Sequence, residues 1–378
     1  MGRFPDAETS YRASLAIRET IAKRDQLRLA AALNNLATSQ VESEGIGPIG
    51  VARALSNIGE VQRAQSRYTE ADASFQRALR IKREILGPNH PDIATSLNNL
   101  AALRQDFGDL EGAEKLYLDA VPIREKQSPV DRPALASLYN NIGTLHRKTG
   151  RLQTAEGHIK KAVQLWEESV GARHPTLAAG LNNLAELLFT ADRYTEAEPL
   201  YRRSIAIQEA SLGAGHPQTA TTYDNLGVLF LRQGKAPGAE GLFRRALTAR
   251  TAQFGPKSPL SLEAMHHLSQ ALHTQGRYTE AERVLVDELS ILESNQMRRS
   301  PQHGYALAEL AYIQLAQRRF AEGEKYLNEV SEFAAELPVG QRERVGALYQ
   351  AYATLLRNAK RNREAERIEG KARGFMPR

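Results

Sequence analysis

The chain repeats its own pattern every 42 residues, and this period limits the folds open to it more than any other feature of the sequence. Two markers recur, a polar pair inside an apolar stretch and a proline shortly before that stretch. The pairs in register are Asn98-Asn99, Asn140-Asn141, Asn182-Asn183, Asp224-Asn225 and His266-His267. The prolines in register are Pro91, Pro133, Pro175, Pro217, Pro259 and Pro301. Such a period predicts an array of stacked supersecondary units without a separate globular domain.

Each period predicts a helical hairpin. Apolar residues follow the spacing i, i+3, i+4, i+7 in two stretches of roughly 15 to 20 residues, with a short turn between them. A proline has a fixed φ and no N–H, so the recurring prolines suit the first turn of the first helix. In the unit that starts at Ala94, we predict the turn at Gly108-Asp109-Leu110.

Small and large residues recur at fixed places, which indicates that the two helices of a unit approach closely. A small residue stands two positions after the polar pair: Gly59, Ala101, Gly143, Ala185, Gly227, Ser269, Ala311 and Ala353. Another opens the second helix: Ala71, Ala113, Ala155, Ala197, Ala239, Ala281, Gly323 and Ala365. A large residue follows four positions later: Phe75, Tyr117, Ile159, Tyr201, Phe243, Leu285 and Leu327. Glu369 breaks this rule in the last unit.

This pattern resembles the tetratricopeptide repeat. The hairpin turns carry Tyr68-Thr-Glu-Ala71, Tyr194-Thr-Glu-Ala197 and Tyr278-Thr-Glu-Ala281. The long period, the Leu-Asn-Asn-Leu-Ala motif at 97–101 and 181–185, and the linker Leu86-Gly-Pro-Asn-His-Pro91 are similar to the repeats of kinesin light chains. The resemblance covers residues 51–378. It implies an all-α fold, a right-handed superhelical solenoid of antiparallel helix hairpins.

Three segments are predicted along the array. Residues 1–50 form a partial N-terminal segment that starts in mid-repeat, and one second helix is missing near 41–50. Residues 51–300 form the regular array. Residues 301–378 form degenerate repeats that act as a cap with a basic tail. Near that end Glu288 and Val330 replace a small residue, and the polar pair becomes Ala308-Glu309.

Composition excludes several classes of protein. With 42% hydrophobic and 25% charged residues, the chain has enough apolar character to fold. Residues 357–378 hold eight Lys or Arg against three Glu, so this tail accounts for +5 of the net charge of +6. The remainder is nearly neutral, and we expect neither nucleic acid nor a membrane as a partner. No signal peptide is visible, so the expected location is cytoplasmic.

Residues that could carry chemistry are not arranged for it. Gly45–Gly50 matches GxGxxG but lacks the βαβ context that a dinucleotide site needs. His266 and His273 share a helix face, yet no carboxylate at i+3 or i+4 completes a metal site. The linker histidines are expected to cap or brace a turn: His90, His174 and His216. With no cysteine and no nucleophile or Walker motif, we predict no enzyme activity, no metal and no cofactor.

The resemblance to kinesin light chains implies a function for the polar pairs. In those repeats the first helices line a concave groove, and asparagine amides pair with the backbone of an extended peptide. The corresponding positions are Asn57, Asn98, Asn99, Asn140, Asn141, Asn182, Asn183 and Asn225, and Asp224, His266 and His267 stand in the same register. Beside Asn140-Asn141, Arg147 and Lys148 form a local basic spot for an acidic side chain or a carboxylate, and all of these residues are predicted to bind the peptide. Asparagine is a poor residue for a helix interior, so its repetition needs a compensating role. The other interpretation is an internal ladder, in which one Asn of each pair bonds the adjacent repeat.

The predicted function is a scaffold that binds a protein or peptide along roughly residues 50–275. Two alternatives stay open. The first is a structural module that self-associates through its open N-terminal end. The second is a regulatory sensor array of a larger multidomain protein.

Overall fold

The computed structural model describes residues 47–337 and 339–375, where the backbone forms sixteen α-helices and no strand. The helices are α1 Pro48–Ala64, α2 Tyr68–Leu86, α3 Pro91–Phe107, α4 Leu110–Glu125, α5 Arg132–Lys148, α6 Leu152–Val170, α7 Pro175–Thr190, α8 Tyr194–Ser211, α9 Pro217–Arg232, α10 Ala236–Phe254, α11 Pro259–Thr274, α12 Tyr278–Ser294, α13 Pro301–Ala316, α14 Phe320–Ser331, α15 Val339–Asn358 and α16 Asn362–Ala372. Short 3₁₀ turns follow α14 and α16. The predictions made for the mid-repeat start, the missing helix and the glycine motif fall mostly within residues 1–46, outside the described residues.

Each odd-numbered helix pairs with the helix that follows it, so the all-α array of hairpins is confirmed. The chain divides after Gly171 into two compact units. In the first unit, α1 to α6 form three successive hairpins. In the second, α7 to α16 form five. None of the described helices combines the length and the apolar character that a bilayer crossing requires.

The predicted helix starts are confirmed. The prolines occupy the first turn of α3, α5, α7, α9, α11 and α13. The linker histidines cap three of these helices, α3, α7 and α9. The His90 Nδ1 atom accepts a hydrogen bond from the Asp92 N–H at 3.1 Å. His174 and His216 do the same for Thr176 and Gln218 at 3.2 Å. A side-chain acceptor at this position satisfies a backbone donor that the helix leaves unpaired.

The small and large residues meet inside each hairpin as predicted. A Cβ atom added to Gly227 would lie 2.5 Å from the Phe243 ring, and one added to Gly59 would lie 2.7 Å from the Phe75 ring. At Gly143 it would overlap Ile159 and lie 3.1 Å from the Ala155 carbonyl oxygen. These large residues are almost completely buried. The core of a hairpin therefore requires a residue with little or no side chain where the helices cross.

Within the two units, four ion pairs join a hairpin to the next one at a constant offset of 37 residues. The glutamate at the fifth residue of a second helix contacts a basic residue at the turn of the following hairpin. The pairs are Glu114–Arg151 at 2.7 Å, Glu198–Lys235 at 2.8 Å, Glu240–Arg277 at 2.5 Å and Glu282–Arg319 at 3.2 Å. We name this series the glutamate ladder. It links second helices to neighbouring turns along the array.

The last hairpin explains the one exception to the small–large rule. Glu369 is half-buried on α16, where Arg357 of α15 pairs with it at 2.9 Å. Ile368, its neighbour, is fully buried and takes part in the terminal core with Tyr349 and Tyr352. The carboxylate of Glu369 therefore stays outside the apolar core of the last hairpin.

The crossing at Gly143 predicts a stability difference between two glycines of one hairpin. We expect Gly143→Ala to lower the thermal midpoint by about 2–5 °C, because overpacking costs more than the improved helix propensity returns. Gly157→Ala on α6 is the matched control, because an added Cβ there meets nothing within 4 Å. It should raise the midpoint slightly. Circular dichroism melts measure both, and equal shifts would contradict the packing argument.

Glu114 provides a pH test of the glutamate ladder. The pKa of Glu114 is lowered to about 2, mainly by hydrogen bonds from Arg151 and also by the bond with His146, although burial opposes this shift. A carboxyl whose folded pKa is depressed stabilises the fold above its unfolded pKa, about 4.3, and this contribution is lost as the pH falls through the folded value. We therefore expect Glu114→Gln to lower the melting temperature at pH 7.

The same variant should lose its effect as the pH falls from about 4.5 to about 2, because the wild-type carboxyl then becomes neutral as well. Melts at pH 7, 4, 3 and 2 measure the difference between variant and wild type. Glu111→Gln, at an exposed position of the same helix, is the control. A difference for Glu114→Gln that does not depend on pH would show that the ion pair contributes nothing.

Candidate functional site

The first helices of neighbouring hairpins contact one another within each unit, and the polar pairs lie along them. In the first unit, α1, α3, α4 and α5 enclose a polar cleft of about 340 Å³. We name it the asparagine cleft. Its lining includes Asn98, Asn99 and Asn141, together with Glu60, Arg63, Gln105, Asp106, Tyr117 and Thr144. The structure thus brings three of the predicted site residues together.

Part of each pair forms a ladder between repeats. The Asn141 Nδ2 atom donates to the Asn98 Oδ1 atom at 2.8 Å, and Asn225 donates to Asn182 at 3.1 Å. Both bonds join residues 43 positions apart, from the second member of one pair to the first member of the preceding pair. The internal-ladder interpretation is confirmed for these residues. Each amide has two donors and an acceptor oxygen, so one rung leaves capacity for a ligand.

A third rung uses different chemistry at the same offset. His267 Nδ1 lies 3.0 Å from the Asp224 Oδ1 atom. Burial lowers the pKa of His267, but the hydrogen bond and charge of Asp224 outweigh this and raise it above its ordinary value. Asp224 is itself buried and lies 3.6 Å from Arg250. This rung joins an imidazole to a carboxyl group, where the others join two amides.

The remaining predicted residues lie apart from the asparagine cleft. Asn57 is exposed on α1, whereas Asn140 and Asn183 are half-buried. Neither Arg147 nor Lys148 lines the cleft. Helix geometry gives the reason. Arg147 is turned by about 240° from Asn141, and Lys148 lies about 10 Å further along the axis at the end of α5.

A second cleft of about 550 Å³ lies in the second unit, among α11, α12 and α13. We name it the histidine cleft. Its lining includes His266, His267, Glu263, Gln270, Glu288, Leu260 and Tyr305. Of these residues, the repeat pattern predicted the two histidines, whereas Glu288 stood out only as a departure from the pattern. One signal in the sequence could have revealed Glu288 as a site residue. It is a glutamate at a position where the preceding units carry alanine or serine.

Glu288 has an unusual environment. Its side chain is 1% exposed, and its Oε2 atom lies 3.7 Å from the Nδ1 atom of His266. Among the described residues neither atom has a hydrogen-bond partner. Burial raises the pKa of Glu288, although His266 opposes this shift. A buried carboxyl without a donor is costly, so this group favours a ligand that supplies one.

Potential metal ligands in the second unit are His266 with His273, and Glu293 with His303 and Glu329. His266 and His273 do not converge on one ligand, since His273 contacts Glu309 at 2.7 Å while His266 faces Glu288. The ligand atoms of Glu293, His303 and Glu329 all lie within 4.8 Å of one another. Arg298 already pairs with Glu293 at 3.0 Å, and its charge opposes a cation there.

The tetratricopeptide repeat profile matches residues 50–126, 134–210, 176–252 and 234–294, more than half of the chain. The chain therefore belongs to the tetratricopeptide repeat family. Its class is an all-α repeat scaffold of the kind that serves protein–protein interaction. Comparison with curated protein sequences returned no match.

Solved structures share this fold at low sequence identity. Repeats of a kinesin light chain candidate from Podosopora anserina are 20% identical, with a TM-score of 0.51 over 55% of this chain and 97% of that chain. The STAND protein PH0952 of Pyrococcus horikoshii, which has a tetratricopeptide repeat sensor, is 16% identical, with a TM-score of 0.64 over 93% of this chain and 53% of that chain. A Rap protein complexed with competence and sporulation factor is 14% identical, with a TM-score of 0.54 over 85% of this chain and 90% of that chain.

The rung between Asn98 and Asn141 can be measured by a double-mutant cycle. We expect Asn98→Ala, Asn141→Ala and the double variant to give a coupling free energy of about 0.5–1.5 kcal/mol, typical of a net hydrogen bond. Each substitution also changes helix propensity, but these two changes add in the double variant and therefore cancel from the coupling free energy. Urea unfolding measures it. A cycle between Asn57 and Asn141 is the control, and coupling no larger than in that control would contradict the rung.

Proposed function

We propose that this chain is a non-enzymatic scaffold that binds an extended peptide or partner segment along its first helices, roughly over residues 50–275. The observation that carries the proposal is the asparagine cleft, where half-buried amides line a polar depression on the first helices. An extended backbone presents N–H donors and C=O acceptors, and asparagine amides can pair with both.

The ladder supports this proposal. Rungs between Asn98 and Asn141 and between Asn182 and Asn225 hold the amides in fixed orientations before a ligand arrives. Groups that are already oriented lose less conformational entropy on binding, so each new hydrogen bond contributes more to affinity. Structural and binding roles can therefore coexist in one asparagine.

Charge favours a protein ligand over nucleic acid. Along the predicted face, six basic residues are matched by six acidic ones: Arg53, Arg63, Arg147, Lys148, Arg232 and Arg357 against Glu60, Asp106, Glu186, Asp224, Glu263 and Glu309. In the asparagine cleft Arg63 lies 3.7 Å from Glu60 and 3.5 Å from Asp106. Binding of a phosphate backbone requires several cations converging on one surface.

A sensor array of a larger protein is the second candidate. The fold match to the STAND protein extends over 93% of this chain, and that protein carries its repeats as a sensor. The Rap structure contains a bound factor, an example of this fold with a ligand. Both candidates require a ligand on the array, so ligand binding is tested first.

The test is selection from a random library of displayed peptides, followed by affinity measurement on the enriched sequences. We expect the wild-type chain to enrich peptides and the cleft variant Asn99→Arg/Thr144→Arg to bind them at least tenfold more weakly, because its arginines fill the asparagine cleft. The control Ala73→Arg/Gln153→Arg adds the same charge at exposed positions of α2 and α6. Circular dichroism verifies that all three fold.

Peptides that bind the cleft variant as tightly as the wild type would place the ligand elsewhere on the array. Failure of the wild-type chain to enrich any peptide would contradict the proposal directly.

A further inference from the structure

We infer that the histidine cleft is a specificity pocket for one long basic side chain, lysine or arginine, of the bound segment, with Glu288 as its buried counter-ion. This inference rests on the proposed function and adds a sequence requirement to it. It is carried by the position of Glu288 in the repeat, by two buried atoms without hydrogen bonds, and by the composition of the cleft walls.

In the preceding units the position of Glu288 carries small residues. The residues at this place in the preceding units are Ala78, Ala120, Ala162, Ser204 and Ala246, all fully buried. Packing alone would favour alanine here as well, because a carboxyl in an apolar site costs free energy unless it is paired. Glu288 thus breaks the local rule, and its 3.7 Å contact with His266 is too long to offset burial by a hydrogen bond. Such conflicts between sequence and packing are expected at functional sites.

The partners of Glu288 are incomplete. Its Oε2 atom lies 3.7 Å from the Nδ1 atom of His266, which is too long for a hydrogen bond. The opposite ring nitrogen of His266 is already engaged by Gln270 at 3.0 Å. An ammonium or guanidinium group entering the cleft would supply the missing donor to Glu288 as a charge-assisted hydrogen bond.

The walls fit the stem of such a side chain. Leu260 is 42% exposed and Tyr305 is 36% exposed, and both line the cleft. The Tyr305 ring lies 5.8 Å from the His266 ring. Lysine and arginine bury their methylene groups against apolar surface and place their cations over aromatic rings.

The charges on the cleft select a cation over an anion. The described residues that line it include Glu263 and Glu288 but no lysine or arginine. Arg250, behind the lining, lies between Asp224 at 3.6 Å and Glu263 at 3.2 Å, so its charge is compensated. His267 is engaged with Asp224. An acidic ligand would meet two carboxyl groups without a free counter-charge in the lining.

The test compares peptide selection by the wild-type chain with selection by Glu288→Ala, which introduces the residue that other units carry at this place. We expect the wild type to enrich lysine or arginine at one fixed position of the peptide and Glu288→Ala to lose that preference alone. Glu280→Ala, which removes an exposed carboxylate from the same helix, should retain it. Glu288→Gln keeps the size of the side chain and should behave like Glu288→Ala.

Affinity measurements on one enriched peptide sharpen the test. Replacing its basic residue by norleucine should weaken binding to the wild type at least tenfold and change binding to Glu288→Ala less than twofold. If both proteins select the same basic residue, or if the wild type enriches acidic or apolar residues there, the pocket inference is wrong while peptide binding stands. If the wild type enriches no peptide, the proposed function and this inference both fail.

Discussion

Every hairpin of this array depends on two helices crossing with almost no side chain between them. At Gly227 and Gly59 even a methyl group would collide with the aromatic ring of the partner helix. That contact determines the angle at which the first and second helices lie, and therefore which faces remain for other contacts. On the second helices, the remaining face carries the glutamate ladder. On the first helices, the remaining face carries the polar pairs, and members of these pairs in adjacent repeats contact one another.

The polar pairs illustrate how one residue type can meet two demands. Asparagine in mid-helix is unfavourable, and a half-buried amide needs partners. The rungs from Asn141 to Asn98 and from Asn225 to Asn182 meet part of that need within the array. They do not use the full hydrogen-bonding capacity of the amides, so the same surface can serve a peptide backbone.

The unit around His266 departs from its neighbours in a coordinated way. Histidines replace the asparagine pair, and a glutamate replaces a small residue of the second helix. The two changes meet in space, where Glu288 faces His266 on the wall of one cleft. Erosion of a repeat would produce scattered changes, whereas here the altered side chains are adjacent. This adjacency turns an apparent weakening of the signature into a site with its own chemistry.

The sequence by itself determined the hairpins, their prolines and caps, the close helix crossings and the family, because these depend on local spacing that is repeated along the chain. The residues of the glutamate ladder, such as Glu114 and Arg151, also recur regularly in the sequence, but their spacing alone does not show that they contact one another. Only the tertiary structure decided which amides pair, that Arg147 and Lys148 lie outside the asparagine cleft, and that Glu288 reaches His266. These contacts join residues of different helices, so they depend on how far one helix is shifted along its neighbour. That shift is set by side-chain packing between repeats, which the pattern within one repeat does not reveal.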